Sequence, residues 1–378
     1  MKAEKFVSAL KDIGIESVAG VPDSTLKQFC DYINTDGKDE LKHYVTANEG
    51  AAAGLAAGIY LGSGKPAAVY MQNSGLGNIV NPVTSIANTD VYGIPMLFII
   101  GWRGEPGVHD EPQHKFMGKI TDKMCDLLDI PYSIIDKDTT GEELEKILSE
   151  ASRVLSSCRQ YALIVKKGTF DKRSGGDYAN AYTMIRENAV RTVVESLGDN
   201  DLIVSTTGKI SREVYEQLDM IYGDHSRAFL TVGGMGHASM IAYGIAEERP
   251  DKNIFCLDGD GAALMHMGSI AFIGQNRPDH FVHICFNNGA HESVGGMPTG
   301  TPGLSFSKIA TDSGYDCTVT VRNEDELKAA LAIAAEKKGL YFIEALVAAS
   351  SRDDLGRPKE SAAENKTGFM TRLRGEEG

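Results

Sequence analysis

Asn253-Ile-Phe-Cys-Leu-Asp258 runs directly into Gly259-Asp260-Gly261, and a second apolar run, Phe281-Val-His-Ile-Cys-Phe286, ends in Asn287-Asn288. Both runs are short, apolar and bounded by turn residues, the pattern of strands buried in a parallel sheet. Each delivers oxygen-bearing side chains at its carboxyl end, where open α/β sheets present their ligand crevice. An acidic side chain between glycines, which let backbone N–H groups approach closely, suits a divalent cation carrying a diphosphate. The carboxamide of Asn288 adds a neutral oxygen donor without crowding the site with charge. A Gly-Asp-Gly alone is what any tight strand-to-helix turn produces. The paired asparagines weigh against the bare turn, because they bring further oxygen donors to the same sheet edge.

Outward from this motif, short apolar runs alternate with longer helical patterns along the whole chain. The first half gives strands at 17–21, 43–46, 67–71, 96–101, 132–135 and 161–166. The second gives them at 201–205, 227–230, 253–258, 281–286, 317–321 and 341–347. Equal numbers at comparable spacing predict one α/β fold used twice, each copy a doubly wound parallel sheet. The polar, glycine-rich stretch 167–178 reads as the linker. After Val347 no strand pattern follows, so 348–378 is expected to be a surface-crossing arm, disordered over 374–378.

The bulk properties fit an enzyme with large cores: 378 residues, 42% of them hydrophobic, enough for two domains. A net charge of -14 argues against a nucleic-acid or anionic-membrane partner. Six cysteines (Cys30, Cys125, Cys158, Cys256, Cys285, Cys317) form no C-x-x-C pair, and three lie in apolar runs. They read as buried reduced thiols rather than disulfides or zinc ligands. The start of the sequence has too short an apolar run for a signal peptide, and no run of 18 apolar residues occurs, so a cytoplasmic location is expected.

Two further segments stand out. Asn48-Glu49-Gly50-Ala51-Ala52-Ala53-Gly54-Leu55-Ala56-Ala57-Gly58 opens a helix of small residues, built for close packing. A carboxylate at its start is also what the helix dipole favours. Thr231-Val-Gly-Gly-Met-Gly-His-Ala-Ser-Met240 sets one large residue among glycines, either a core methionine or a wedge.

Glu49-Gly50-Ala51-Ala52, Gly233-Gly234-Met235-Gly236 and Gly259-Asp260-Gly261 with Asn287-Asn288 together resemble the motifs of thiamine diphosphate-dependent decarboxylases, over nearly the whole chain. The resemblance implies a pyrimidine-binding domain at 1–170, a linker at 171–185, a diphosphate-binding domain at 186–347 and an arm at 348–378. The middle domain of many relatives is missing. It implies that Glu49 is the proton-transfer partner of the cofactor's pyrimidine N1′. The Gly233 carbonyl would accept from the 4′-amino group, with Gly234 and Met235 under the bent cofactor. Gly259, Asp260, Gly261, Ala262 and Asn288 would take the diphosphate end. Mg²⁺ would be held by Asp260, Asn288 and the backbone oxygen of Ala290, with Asn287 orienting from behind. A homodimer or higher homo-oligomer with active sites at the subunit interface is implied as well.

Gly20-Val-Pro-Asp-Ser24 and Gly101-Trp-Arg-Gly-Glu-Pro-Gly-Val-His-Asp-Glu-Pro-Gln-His114 resemble the members of that family that act on phosphonopyruvate. The second loop holds the only tryptophan, an arginine, two histidines and three acids. Arg103 suits a charge-assisted phosphonate contact, or else pairs with Glu105 or Asp110 at the surface. His109 and His114 titrate near neutrality and fit proton donation to a product carbon. Asp23 and Ser24 end the first strand and would contact the reacting carbons, although Asp23 can instead cap the helix near Thr25. The loop from Gln72 to Asn78 is expected to line the site by backbone. His43 and His283 read as structural, and His237 and His291 have no assigned role. The expected reaction is decarboxylation of a small 2-oxo acid, 3-phosphonopyruvate, to phosphonoacetaldehyde and CO₂ in phosphonate biosynthesis. The alternatives are sulfopyruvate decarboxylation, a carboligase reaction of the acetolactate synthase type, and a non-catalytic thiamine-binding protein. No Gly-x-Gly-x-x-Gly follows the first strand of either half, which disfavours a nicotinamide dehydrogenase.

Overall fold

The computed structural model describes residues 1–173, 178–294, 296–300, 303–352 and 354–375. The chain divides into two compact units, Met1–Asp177 with Val294–Gly300, and Tyr178–Ser293 with Thr301–Gly378. The first is built on β1 (Ser17–Gly20), β2 (Lys42–Val45), β3 (Ala67–Gln72), β4 (Met96–Gly101), β5 (Tyr132–Ile135) and β6 (Tyr161–Val165). They pair in parallel in the order β2-β1-β3-β4-β6-β5. The unbroken apolar run of β4 has its reason in burial on both faces. Leu97 and Ile99 enter one core beside Phe6, Phe29 and Leu148. Met96, Phe98 and Ile100 enter the other beside Ala52, Ala56 and Val83. Helix Gly141–Ser156 begins in a capping box of Thr140 and Glu143 and buries Leu144, Leu148, Ala151 and Leu155 along one stripe.

The second unit is built on β7 (Asp201–Ser205), β8 (Ala228–Leu230), β9 (Asn253–Gly259), β10 (Phe281–Asn287), β11 (Cys317–Val321) and β12 (Leu340–Leu346). Its parallel order is β11-β12-β10-β9-β7-β8. Read from the other edge, this is the first sheet's order again, each label advanced by six. One doubly wound fold is used twice, as the strand spacing predicts. The two sheets differ in one respect. On one face of the second, Phe255, Leu257, Val282, Ile284 and Phe286 form an apolar core. On the other, the alternating positions of β9 and β10 are Cys256, Asp258, His283 and Cys285, all buried.

Three expectations need adjustment. The arm contains a helix, Ala362–Arg374, with its own capping box of Ser361 and Glu364. Its Asn365 accepts from Leu230 N at 3.0 Å and donates to Ala228 O at 2.8 Å, satisfying the open edge of β8. Arg374 and Gly375 therefore finish a helix instead of starting a disordered tail; residues 376–378 lie outside the described residues, as do 174–177 of the expected linker. Residues 294–300 pack with the first unit, where Met297 is 3% exposed within its core. Among the described residues, no helix is long and apolar enough to cross a membrane.

Candidate active site

In the first unit, the carboxyl ends of β1 to β4 carry the polar side chains singled out above. Asn48 caps helix Glu49–Ser63, its side chain accepting from Ala51 N at 2.8 Å. Glu49 follows, yet it is buried, 5% exposed, unlike an acid that merely complements a helix dipole in water. Its Oε2 accepts from Asn78 Nδ2 at 2.6 Å. A methyl on Gly75 would stand 2.5 Å from Oε1, so the carboxyl is seated against bare backbone. Asp23 is buried too. Its Oδ2 accepts from the N–H groups of Thr25 at 2.7 Å and Leu26 at 3.1 Å, so it caps a turn. Its Oδ1 is buried with no hydrogen-bond partner among the described residues, and burial pushes the carboxyl above its ordinary pKa.

The loop after β4 is tied down at both ends. Trp102 Nε1 donates to Gly118 O at 2.9 Å. Arg103 grips Asp110 with Nε at 2.8 Å and Nη2 at 2.6 Å, and its Nη1 donates to the exposed Ser24 at 2.8 Å. The pairing with Asp110 is the alternative expected for Arg103, but it is not a surface pair: the two side chains are 20% and 14% exposed. Burial raises the Asp110 carboxyl, but Arg103 and the N–H groups of Gly104 and Glu111 outweigh that and hold it well below the usual range. His114 lies half-buried in the first turn of helix Pro112–Leu127, and burial, with Arg103 nearby, lowers its pKa. His109 is exposed on the loop. The structure thus brings Asp23, Ser24, Arg103 and His114 to one sheet edge and leaves His109 in solvent.

The segment from Gln72 to Asn78 presents bare backbone to Glu49 at Gly75, and it also works through side chains, which the sequence reading did not expect. Fully buried Asn73 donates to Arg103 O at 2.7 Å and Thr121 Oγ1 at 2.8 Å, and accepts from Arg103 N at 3.3 Å. The tight turn Asn73–Gly75 points this amide inward, while Asn78, in the helix that follows, reaches Glu49.

In the second unit, Asp260, Gly259, Gly261, Ala262, Asn288 and Ala290 line a cavity of about 100 Å³ together with Thr206, Lys209, Met235 and His291. Pockets that hold a whole ligand run to roughly 300 Å³ and more, so this one suits a single end of a cofactor. Met235 projects between Gly234 and Gly236, both in left-handed conformations that a larger residue resists, and its methyl approaches Gly261. Asn288 Oδ1 accepts from Ala290 N at 2.9 Å, leaving its second lone pair, and Nδ2 donates to Glu292 at 3.2 Å. Asn287 steadies the turn from behind. It accepts from Gly289 N at 3.1 Å and donates to the buried Glu344 at 2.9 Å.

The cavity wall also contains residues that the sequence reading passed over. Lys209 donates to Glu292 at 3.0 Å, and Arg186, buried, grips Glu213 at 2.9 and 2.8 Å and also reaches Glu292. Burial favours the neutral Glu292, but Arg186, Ser351 and Lys209 hold it down at about 2. Thr206 Oγ1 and His291 Nε2 are buried without a hydrogen-bond partner among the described residues. Burial pushes His291 down to about 4. Thr206-Thr207-Gly208-Lys209 at the end of β7 carried the usual signal of a ligand turn, hydroxyls and a glycine between strand and helix. Arg186, Glu213 and Glu292 are too far apart in sequence to have given one.

Comparison with known proteins follows the same division. The thiamine pyrophosphate enzyme N-terminal TPP binding domain matches residues 2–125, and the C-terminal TPP binding domain matches 207–345. The chain is 36% identical to phosphonopyruvate decarboxylase of Streptomyces viridochromogenes over 379 residues, covering 96% of this chain and 92% of that one. It is 34% identical to phosphonopyruvate decarboxylase of Streptomyces hygroscopicus, covering 95% and 90%. Sulfopyruvate decarboxylase of Methanosarcina acetivorans is 25% identical over 78% of each chain.

Proposed function

We propose a substrate and a metal from one premise: this chain belongs to the thiamine diphosphate-dependent decarboxylase family and is a carboxy-lyase. The substrate is 3-phosphonopyruvate, cleaved to phosphonoacetaldehyde and CO₂ in phosphonate biosynthesis, and the metal is Mg²⁺. The observation that carries this reading is the end-to-end similarity to two phosphonopyruvate decarboxylases. The residues present fit the cofactor. Buried Thr206 Oγ1 has no hydrogen-bond partner among the described residues, and it lines the same cavity as Lys209, Asp260 and Asn288, a donor and ligand set suited to a metal-bound diphosphate.

When bound, thiamine diphosphate supplies an electron sink for the carbon that loses CO₂. Glu49 would hold the pyrimidine N1′ and exchange a proton there, its own position kept by Asn78. Asp260, Asn288 and the Ala290 carbonyl would hold Mg²⁺. Met235 would support the cofactor from below. Arg103 would turn Nη1 from Ser24 to the phosphonate while Asp110 keeps the guanidinium aligned. Asp23, its Oδ1 buried with no hydrogen-bond partner among the described residues, would contact the reacting carbons. His114, with its lowered pKa, would act as a neutral hydrogen-bond partner. In this proposal the working unit is a cytoplasmic homo-oligomer, with each site shared between subunits.

CO₂ release from phosphonopyruvate with thiamine diphosphate and Mg²⁺ tests the reading, with sulfopyruvate and pyruvate measured in parallel. The highest kcat/KM is expected for phosphonopyruvate. A higher value for sulfopyruvate, the substrate named for the third relative, would reverse the substrate assignment.

A further inference from the structure

The face of the second sheet turned away from its apolar core brings three metal-ligating side chains together. Cys256 and Asp258 alternate along β9, and His283 and Cys285 along β10. The register sets His283 opposite Cys256 and Cys285 opposite Asp258. All four are at most 1% exposed. The ligand atoms of Cys256, Asp258 and His283 lie within 4.8 Å of one another. Asp258 Oδ1 accepts from Gly259 N at 2.9 Å. Its Oδ2 is buried without a hydrogen-bond partner among the described residues, as is His283 Nε2. The two stand 3.6 Å apart, too far for a hydrogen bond. Tyr315 Oη lies 3.4 Å from His283 Nδ1. With Nδ1–H aimed at that oxygen, Nε2 turns its lone pair toward Asp258, the tautomer of a metal-bound histidine. A carboxylate oxygen, an imidazole lone pair and a sulfur then face one another in a dry interior, an arrangement that a bound cation satisfies at once.

We propose that Cys256, Asp258 and His283 hold a divalent cation of the zinc class. Sulfur and imidazole donors select zinc, or cobalt in its place, over Mg²⁺, which takes oxygen. Binding displaces the Cys256 thiol proton to solvent, leaving a thiolate on the metal. The site is separate from the oxygen donors of Asp260, Asn288 and Ala290 and does not depend on the proposed reaction. The absence of a C-x-x-C spacing does not oppose it, because these ligands converge from adjacent strands.

The test is metal analysis of the full-length protein, grown with zinc and dialysed against metal-free buffer. About one equivalent of zinc per chain is expected, lost in Cys256→Val and His283→Phe and kept in Asp260→Ala. Cobalt-loaded wild-type protein should show a thiolate-to-cobalt charge-transfer band. Wild-type protein with less than about a tenth of an equivalent and no such band overturns the site, whatever the variants do, and leaves Asp258 and His283 sharing a proton. Zinc retained in both Cys256→Val and His283→Phe but lost in Asp260→Ala also overturns it, by moving the metal to the other donor set.

Discussion

A glutamate buried at a helix start gives up water that the dipole alone would let it keep, so its burial needs a chemical reason. If that reason is proton exchange with the cofactor, Glu49→Gln lowers kcat by about 10² to 10⁴. Thiamine diphosphate affinity measured by calorimetry should stay near wild type. A near-normal kcat would reduce Glu49 to a helix-start residue. Asp260→Ala should weaken Mg²⁺ and thiamine diphosphate together, because the ion ties the protein to the diphosphate; unchanged affinity for both would relocate the metal. Arg103→Ala removes a charge-assisted contact worth about tenfold or more in binding. It should raise KM for phosphonopyruvate well beyond its effect on pyruvate, and an equal effect on both would make the arginine structural. Glu49 and Asp260 were legible because each stands beside glycines at the end of an apolar run. Arg186 and Glu292 were not, since their meeting depends on chain segments far apart in sequence.

At the scale of elements, all twelve strands of the two six-stranded sheets were legible within about a residue or two at their ends, because continuous apolar runs bounded by turn residues have few other uses in an α/β chain. What a strand's following turn does was harder to read. The turn Asn73–Gly75 resembles a backbone liner in sequence, and only its folded geometry turns Asn73 onto Arg103. Gly75 makes the same turn testable. A methyl there must displace the Glu49 carboxyl or the turn itself, at a cost of about 1–3 kcal/mol. Gly75→Ala should therefore lower kcat at least tenfold while the thermal transition falls by only a few degrees, roughly the shift such a cost gives in a chain of this size. Wild-type kcat in a folded Gly75→Ala protein would show that the glutamate needs no such seat.

Across the whole molecule, Glu49 and Asp260 belong to different units of one repeated fold. Under the proposed reading each is inert without the other, and a chain bearing one substitution can complement a chain bearing the other. Equal mixtures of Glu49→Gln and Asp260→Ala chains, after subunit exchange, should recover about a quarter of wild-type activity, from mixed dimers with one intact site of two. No recovery after verified exchange would show that each chain builds its own sites. The repeat itself was legible as equal strand spacing; the departure from it, residues 294–300 packing with the first unit, was not, because a short segment's partner is set by space and not by neighbours in sequence. That segment also imposes a timetable on the ribosome. The six strands of the first unit's parallel sheet and the helices between them are synthesised by residue 177, but the place of Met297 in its core stays unfilled until the chain has grown past residue 300. At ordinary elongation rates the wait is on the order of ten seconds, during which a nearly finished domain must stay soluble with part of its interior still open.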